Sequence, residues 1–381
     1  MTGRQRLLAA MRGEAVDRVP VWLREGFPVR HGPAGADDFE NGWQAEPLYR
    51  GLFDYVRPHA DDWLNWGGLP QNRFLMIPPR AMRGETIEAT PEFRRRRTIV
   101  ETPRGPLTAV TEVRRHTATT WTVKPLVEDR RELRMLADVP WELDAEAVAR
   151  ARAHYRRALA EAGDRAPLMT DLSSPIVIIS GAMALETFLE LSLTERAWFH
   201  ELLEEITRRN LAMLEALWAD GPLDTCVNIG GSEQCTPPMM APEAYDEYVV
   251  PYEGRLIAWL KARGVPVKVH CHGKVRRALA CMVAEGADAT DPVEPPPQGD
   301  VTYAEARAVV GDRLTLIGNL QYADLCHRRP TDIREQVREM LAMGTRRLIL
   351  GASAGPMGPI TPRMAENYRA WIDAAREFGG G

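Results

Sequence analysis

The sequence predicts an α/β fold, a (β/α)8 TIM barrel with an N-terminal extension and a β-hairpin excursion. From about residue 165 onward, short apolar segments alternate with longer helical patterns, which is typical of parallel strands joined by helices. Nearly every apolar segment ends on a polar residue. A barrel carries functional groups at the carboxyl ends of many strands, whereas a doubly wound open sheet concentrates them at one switch point. We therefore favour the barrel over the open sheet.

The predicted strands account for seven of the eight strands that a barrel needs. The first is VPVWL at 19–23, and an eighth is expected in the loosely patterned region that follows it. The motifs Ser192–Glu195 and Thr302–Glu305 match the S/T-x-x-E capping box that begins a helix. The six later strands are predicted to end at Asp171, Glu233, His272, Glu294, Gln321 and Ser353.

A β-rich stretch interrupts the barrel pattern at residues 92–124. Two strand-like segments flank the turn Thr102–Gly105, which predicts a hairpin. We interpret it as an excursion packed on the barrel, so residues 1–381 are expected to form a single domain.

Composition excludes several classes of partner. The chain of 381 residues has a net charge of -5 and a pI near 6.0, which gives no electrostatic case for nucleic acid or an anionic membrane. Its five cysteines form no CxxC pair, which indicates a reducing compartment. Charges interrupt the apolar runs at the start, so neither a signal peptide nor a membrane span is predicted. We expect a cytoplasmic protein.

The segment VKVHCHGKV predicts a metal site. Side chains alternate along a strand, so His270 and His272 share one face and Cys271 takes the other. A catalytic zinc usually has three protein ligands and one open position. The third ligand is predicted to be Glu233 at the preceding strand end, with Cys235 as the softer alternative. Two ordinary polar histidines at a strand end remain the competing interpretation.

Other polar residues at the strand ends are candidates for the substrate pocket. Glu294 and Asp171 are the predicted catalytic carboxylates, although Glu294 could equally cap a turn. The predicted substrate-binding residues are Asn319, Gln321, Ser353 and Arg24. For Asn319 the alternative is a hydrogen bond to neighbouring loop backbone, and for Arg24 it is plain exposure.

Three stretches together resemble the uroporphyrinogen decarboxylase superfamily, which also contains zinc-dependent, corrinoid-linked methyltransferases. They are AMRGEAVDRVPVW at 10–22, the run from VKVHCHGKV through DPVEPPPQGD to LTLIGNLQ at 267–321, and LILGASAGPMGPITPRMAEN at 348–367. The resemblance spans most of the chain. It implies a TIM barrel and a homodimer.

Departures from the family pattern indicate which branch of the superfamily the chain resembles. LREGF stands where true decarboxylases carry an MRQAGRY-like run, and their closing histidine falls on Ala352 or Ser353. Cationic clamps for a polycarboxylate tetrapyrrole are missing at the matching positions, which argues against uroporphyrinogen as the substrate. In the methyltransferase branch, His272 replaces a cysteine ligand, and the second thiolate also falls on Ala352. The ligands that survive are His270, His272 and Glu233.

The leading hypothesis is a methyltransferase that uses Zn²⁺ or another divalent metal and moves a methyl group between a small O- or N-methylated substrate and a corrinoid. A corrinoid-binding D-x-H-x-x-G motif is missing from the sequence, so the corrinoid is expected on a partner protein. The alternative is a decarboxylase or lyase that acts on a small carboxylic acid without corrinoid. A third hypothesis is a degenerate barrel that serves only as a binding subunit.

Overall fold

A computed structural model describes residues 1–29, 31–219 and 223–380. Its strands are β1 (Val21–Trp22), β2 (Leu64–Trp66), β3 (Met82–Ala89), β4 (Phe93–Thr102), β5 (Gly105–Arg114), β6 (Thr120–Lys124), β7 (Leu168–Ser173), β8 (Cys226–Gly230), β9 (Val267–His270), β10 (Ala289–Asp291), β11 (Thr315–Leu320) and β12 (Leu348–Ala352).

The helices alternate with the barrel strands. They are α1 (Gly3–Arg12), α2 (Pro47–Val56), α3 (Arg130–Ala137), α4 (Ala145–Ala162), α5 (Pro175–Ser180), α6 (Leu185–Thr194), α7 (Arg196–Leu217), α8 (Glu243–Tyr248), α9 (Val250–Lys261), α10 (Arg276–Glu285), α11 (Tyr303–Val310), α12 (Tyr322–His327), α13 (Pro330–Ala342) and α14 (Pro362–Phe378).

Eight parallel strands form the barrel, in the order β1-β12-β11-β10-β9-β8-β7-β2. The two end strands meet where the Asp61 backbone N–H, just before β2, donates to the Val21 carbonyl at 2.7 Å. The predicted (β/α)8 fold is therefore confirmed, and β2 supplies the strand that sequence patterns left unplaced. The strands are apolar because the helices cover one face of the sheet and the barrel interior covers the other.

The N-terminal extension is helix α1, which packs beneath the barrel. Its N-cap Thr2 forms a capping box with Gln5. The Thr315 hydroxyl at the start of β11 donates to the Ala10 carbonyl at 2.9 Å. The helix therefore lies at the amino ends of the strands, away from the carboxyl ends where barrel enzymes place their chemistry.

The predicted hairpin is present, but it belongs to a larger unit. Strands β3 to β6 form a four-stranded antiparallel sheet in sequential order. Its predicted turn has the Thr102 hydroxyl donating to the Gly105 carbonyl at 2.6 Å. Strand β3 was missed because nearly all of its side chains are exposed, so it shows no alternation of apolar and polar residues. The sheet packs on the rest of the domain through buried side chains such as Val100 and Leu107, and in the loop between β5 and β6 the Ala118 N–H donates to the Met357 carbonyl at 3.3 Å.

Some predicted boundaries are wrong. Strand β7 continues to Ser173 beyond Asp171, whereas β8, β9 and β10 end before Glu233, His272 and Glu294. Gly231 follows β8 with φ at 104°, a left-handed conformation that breaks the extended backbone.

One predicted helix start is also wrong. The capping box Thr302–Glu305 is confirmed at the start of α11. Ser192 instead lies inside α6, where its hydroxyl donates to the Leu189 carbonyl at 2.8 Å. The two helices α6 and α7 follow each other so closely that the helical pattern conceals the boundary between them. In the described ranges no helix has both the length and the apolarity needed to cross a bilayer.

Candidate active site

A buried charged cluster stands at the carboxyl ends of β9 and β10. Its centre is Asp291, a fully buried side chain that accepts a hydrogen bond from the Lys268 ammonium on one oxygen. The other oxygen, Oδ2, accepts from Arg24 Nη1 at 2.5 Å and lies 3.1 Å from His270 Nδ1. Strand register sets the geometry, because Asp291 on β10 pairs directly with His270 on β9. One carboxylate therefore holds two cations and an imidazole.

The electrostatics of this cluster depend on mutual compensation. Burial alone would raise the pKa of Asp291, but Lys268, His270 and Arg24 hold that pKa well below its usual value. Burial also lowers the pKa of Lys268, against the opposing effect of Asp291. Each buried charge is tolerated only because its counter-ion is present.

Arg24 reaches the cluster through an unusual backbone conformation. Its φ is 66°, in the left-handed region that a side chain with a Cβ rarely adopts. Such a conformation costs on the order of 1–3 kcal/mol and persists where the surroundings enforce it. The Arg24 side chain is buried rather than exposed, and Arg24 Nε also donates to Glu25 Oε2 at 3.1 Å.

A cavity of about 170 Å³ opens beside this cluster. Three predicted site residues line it, namely Arg24, Asp171 and His270. The other lining residues are Trp22, Glu25, Trp63, Asn65, Met169, Asn228 and Lys268. A second cavity of about 440 Å³ shares Trp22, Arg24, Glu25, Trp63 and Asn65, so the two adjoin.

Asp171 is the carboxylate of the cavity wall that lacks a paired cation in the described structure. Its Oδ1 accepts from Asn228 Nδ2 at 3.0 Å, a contact set by the register of β7 and β8. Burial raises the pKa of Asp171, and this hydrogen bond only partly opposes the effect.

His272 lies just beyond β9 and is held by Glu294. His272 Nδ1 is 3.3 Å from Glu294 Oε2, and the same oxygen accepts from the Gly273 N–H at 2.8 Å. Burial tends to lower the pKa of His272, but Glu294, with help from Glu233, raises that pKa above its usual value. Glu294 therefore orients an imidazole. The Gly273 contact also fits the turn-capping interpretation.

The three predicted metal ligands supply suitable donor atoms. The rings of His270 and His272 lie with centroids 4.7 Å apart, and each Nδ1 faces a carboxylate, which leaves each Nε2 for a metal. Glu233, on the short 3-10 turn Ser232–Cys235, has a buried Oε2 without a hydrogen-bond partner. Cys235 is buried, and burial raises the pKa of its thiol, which disfavours the thiolate that binds metal.

These donors are not gathered into a finished site. Within residues 1–29, 31–219 and 223–380, no three His, Cys, Asp or Glu side chains are grouped so that they could hold a metal ion. The predicted convergence of His270, His272 and Glu233 on one point is thus not seen. The chemistry of the set fits a divalent ion, but side chains must move before all three contact it.

The remaining predicted substrate residues bind one another or the backbone. Gln321 Oε1 accepts from the Ser353 hydroxyl at 2.8 Å, and both residues are buried directly after β11 and β12. Asn319 Nδ2 donates to the Val293 carbonyl at 2.9 Å, which is the alternative set out for it above. None of the three is among the described residues that line the 170 Å³ cavity.

A pair of buried carboxyl groups lies behind the Glu233 turn. Glu253 on α9 accepts a hydrogen bond from the Ser232 hydroxyl at 2.6 Å, and burial raises its pKa to about 7. Both carboxylate oxygens of Glu285 on α10 are buried without a partner, and burial and the charge of Glu253 raise its pKa to about 9. Burial at this end of the barrel wall therefore raises the pKa of both carboxyl groups and favours their protonated forms.

Sequence reasoning missed Lys268 and Asp291. Lys268 precedes His270 by two residues, so the period of a strand places both on one face, and a lysine in an apolar strand was a usable signal. Asp291 was overlooked in favour of Glu294 in the same run, DATDPVE. No local pattern distinguishes these two carboxylates.

Known proteins resemble this chain in sequence. A sequence profile of the uroporphyrinogen decarboxylase (URO-D) family matches residues 112–378. The methylcobamide:CoM methyltransferase MtaA of Methanosarcina barkeri is 24% identical over 217 residues, 57% of this chain and 60% of that protein. A second MtaA sequence, from M. barkeri strain Fusaro, is 22% identical over 220 residues, again 57% of this chain and 60% of that protein. The matched segment therefore spans less than two thirds of these relatives.

A solved structure supports the fold over nearly the whole chain. A methyltransferase from Methanosarcina mazei superposes with a TM-score of 0.60 at 18% identity and covers 99% of both chains. At this identity the likeness establishes the barrel and not the activity. The profile match covers more than half of the chain and includes β7 to β12, which carry most of the site. The chain is therefore a member of the uroporphyrinogen decarboxylase (URO-D) family.

Proposed function

We propose that this protein is a metal-dependent methyltransferase that moves a methyl group between a small O- or N-methylated substrate and a corrinoid carried by a partner protein. The observation that carries the proposal is the pair of anchored imidazoles, His270 and His272, of which His270 lines a cavity at the carboxyl end of the barrel. The methylcobamide:CoM methyltransferase named among its relatives supports the same reaction class.

In this proposal the protein's own groups prepare the site. Asp291 and Glu294 fix the orientation of the two imidazoles, so that each Nε2 is the free nitrogen. Glu233 provides a buried carboxylate oxygen that has no other partner. A bound divalent ion would act as a Lewis acid that stabilises the negative charge developing on the leaving group. Asp171 borders the same cavity and would face the substrate.

The first experiment measures metal content without reference to activity. Protein purified without a histidine tag should contain close to one divalent ion per chain, and the variants His270→Ala, His272→Ala and Glu233→Gln should each lose most of it. The matched control is His327→Ala, because His327 is exposed on α12 and outside the site. Metal retained in all three site variants would contradict the ligand assignment.

A second experiment tests the reaction. Methyl transfer to cob(I)alamin, followed by its change in absorbance, should require the metal and fail after chelation. A metal-free protein that remains active on a carboxylic acid would favour the decarboxylase alternative instead. We also propose a homodimer, on family resemblance alone, and analytical ultracentrifugation tests it.

A further inference from the structure

The charges around the 170 Å³ cavity do not balance. Two side chains that carry a permanent positive charge, Arg24 and Lys268, face three carboxylates, Glu25, Asp171 and Asp291, so one carboxylate is in surplus. Arg24 is paired with Glu25 and Asp291, and Lys268 is paired with Asp291. The surplus charge therefore resides on Asp171.

Asp171 is poorly compensated by its surroundings. Its one described hydrogen bond comes from the neutral amide of Asn228, and in the described ranges it has no ion pair within 4.0 Å. The carbonyl oxygen of Asn228, Oδ1, is itself buried without a hydrogen-bond partner. Two acceptor groups in one wall thus lack the donor or the cation that a buried acceptor normally has.

Besides the charged residues and the amides of Asn65 and Asn228, the wall contains three large apolar side chains. Trp22, Trp63 and Met169 line the same cavity, and all three are buried. Arg24 and Lys268 already lie against the Trp22 ring, at 4.9 and 5.3 Å from its centroid, so the wall tolerates cationic groups next to indole. An anionic substrate would find both wall cations already paired, and a neutral substrate would leave Asp171 uncompensated.

We propose that the cavity binds its methyl-bearing substrate as a small cation, a quaternary or protonated methylated amine, with Asp171 as the counter-ion. The indole rings and Met169 contact the methyl groups, and the carboxylate neutralises the nitrogen charge. The raised pKa of Asp171 agrees with a carboxyl group that lacks a cation until ligand enters. This inference rests on the proposed function, since it names the substrate class for the same site.

Calorimetry in the absence of corrinoid tests the inference through binding alone. Choline is compared with its uncharged analogue, in which a carbon atom replaces the nitrogen. Choline should bind the wild-type protein at least roughly tenfold more tightly than the analogue, because only the cation is attracted by the charge of Asp171 and by the faces of the indole rings. Equal affinity for the two compounds, or no binding of choline, would overturn the inference without any variant.

The variant Asp171→Asn should weaken choline binding by at least roughly tenfold, because it removes the charge that attracts the quaternary nitrogen, and should leave the weak binding of the analogue unchanged. It should fold, because it removes a carboxylate whose burial is unfavourable. Asp54→Asn is the matched control, since Asp54 is exposed on α2 and lines neither adjoining cavity. An unchanged affinity of Asp171→Asn for choline would contradict the assignment of Asp171 as the counter-ion.

The inference and the proposed function fail in distinguishable ways. If the protein binds choline but transfers no methyl group from any donor to cob(I)alamin, the proposed function is rejected and the cation site is retained. Methyl transfer from a neutral methyl ether in a protein that does not bind choline would keep the function and remove the cation site.

Discussion

Substitution of Asp291 should expose how strongly the buried cluster is coupled. Asp291→Asn leaves the Lys268 ammonium and the Arg24 guanidinium buried without their shared counter-ion; their side chains are 3% and 5% exposed. Removing one partner of a buried pair costs about 3–5 kcal/mol, because the remaining charge stays desolvated. We expect a loss of that size in the free energy of unfolding.

Lys268→Met should lower the free energy of unfolding by less than Asp291→Asn does. Asp291 then keeps Arg24 Nη1 at 2.5 Å and His270 Nδ1 at 3.1 Å, and methionine fills most of the volume of the lysine side chain. The double variant Asp291→Asn, Lys268→Met should be more stable than the sum of the two single losses predicts, with a coupling energy of about 1–3 kcal/mol.

Urea unfolding monitored by tryptophan fluorescence at pH 7 provides the measurement, with the m-value checked for constancy across variants. The exposed pair Arg346–Asp312, whose side chains are 64% and 65% exposed, serves as the control cycle. Its coupling should stay below about 1 kcal/mol, because solvent screens an exposed pair. Additive losses within about 0.5 kcal/mol in the Asp291 cycle would refute the account of mutual compensation.

Three further predictions concern the surroundings of the site. Burial raises the pKa of Glu285 to about 9 from 4.5. The contribution of Glu285 to stability should therefore be full below the pKa of the unfolded state and decline as pH rises from about 5 to 9, by up to about 1.4 kcal/mol per pH unit. Glu285→Gln should flatten this decline, as measured by thermal unfolding. Glu294→Gln should lower the pKa of His272, measured by NMR titration, because the carboxylate is the main group that raises it; an unchanged value contradicts the pairing. Gly231→Ala should destabilise the protein by about 2–4 kcal/mol, because φ is 104° and the new Cβ would lie 2.3 Å from a side-chain carbon on α5. Gly264→Ala, where φ is 73° and the new Cβ would meet open space, should cost about 1 kcal/mol in the same urea assay.

The barrel and the residues at its mouth could be predicted from local patterns in the sequence. Alternating apolar strands and helices are local patterns, and so is the spacing of His270 and His272, because both follow from backbone periods of 2 and 3.6 residues. The hairpin turn at Thr102–Gly105 could be predicted for the same reason. The exposed strand β3 could not, since it buries almost none of its side chains and shows no alternation of apolar and polar residues.

Which charged side chains contact one another depends on the packing of distant strands and could not be predicted from local patterns. Arg24 and Asp291 are 267 positions apart, and β12 and β11 lie between their strands β1 and β10 in the sheet. They touch because the carboxyl ends of these parallel strands face the same mouth of the barrel, where the long Arg24 side chain reaches Asp291. A side-chain period says which way a residue points, but it does not say how long each strand is or which neighbour it faces. Those depend on pairing across the sheet, and that pairing selected Asp291 rather than Glu294 as the carboxylate beside His270.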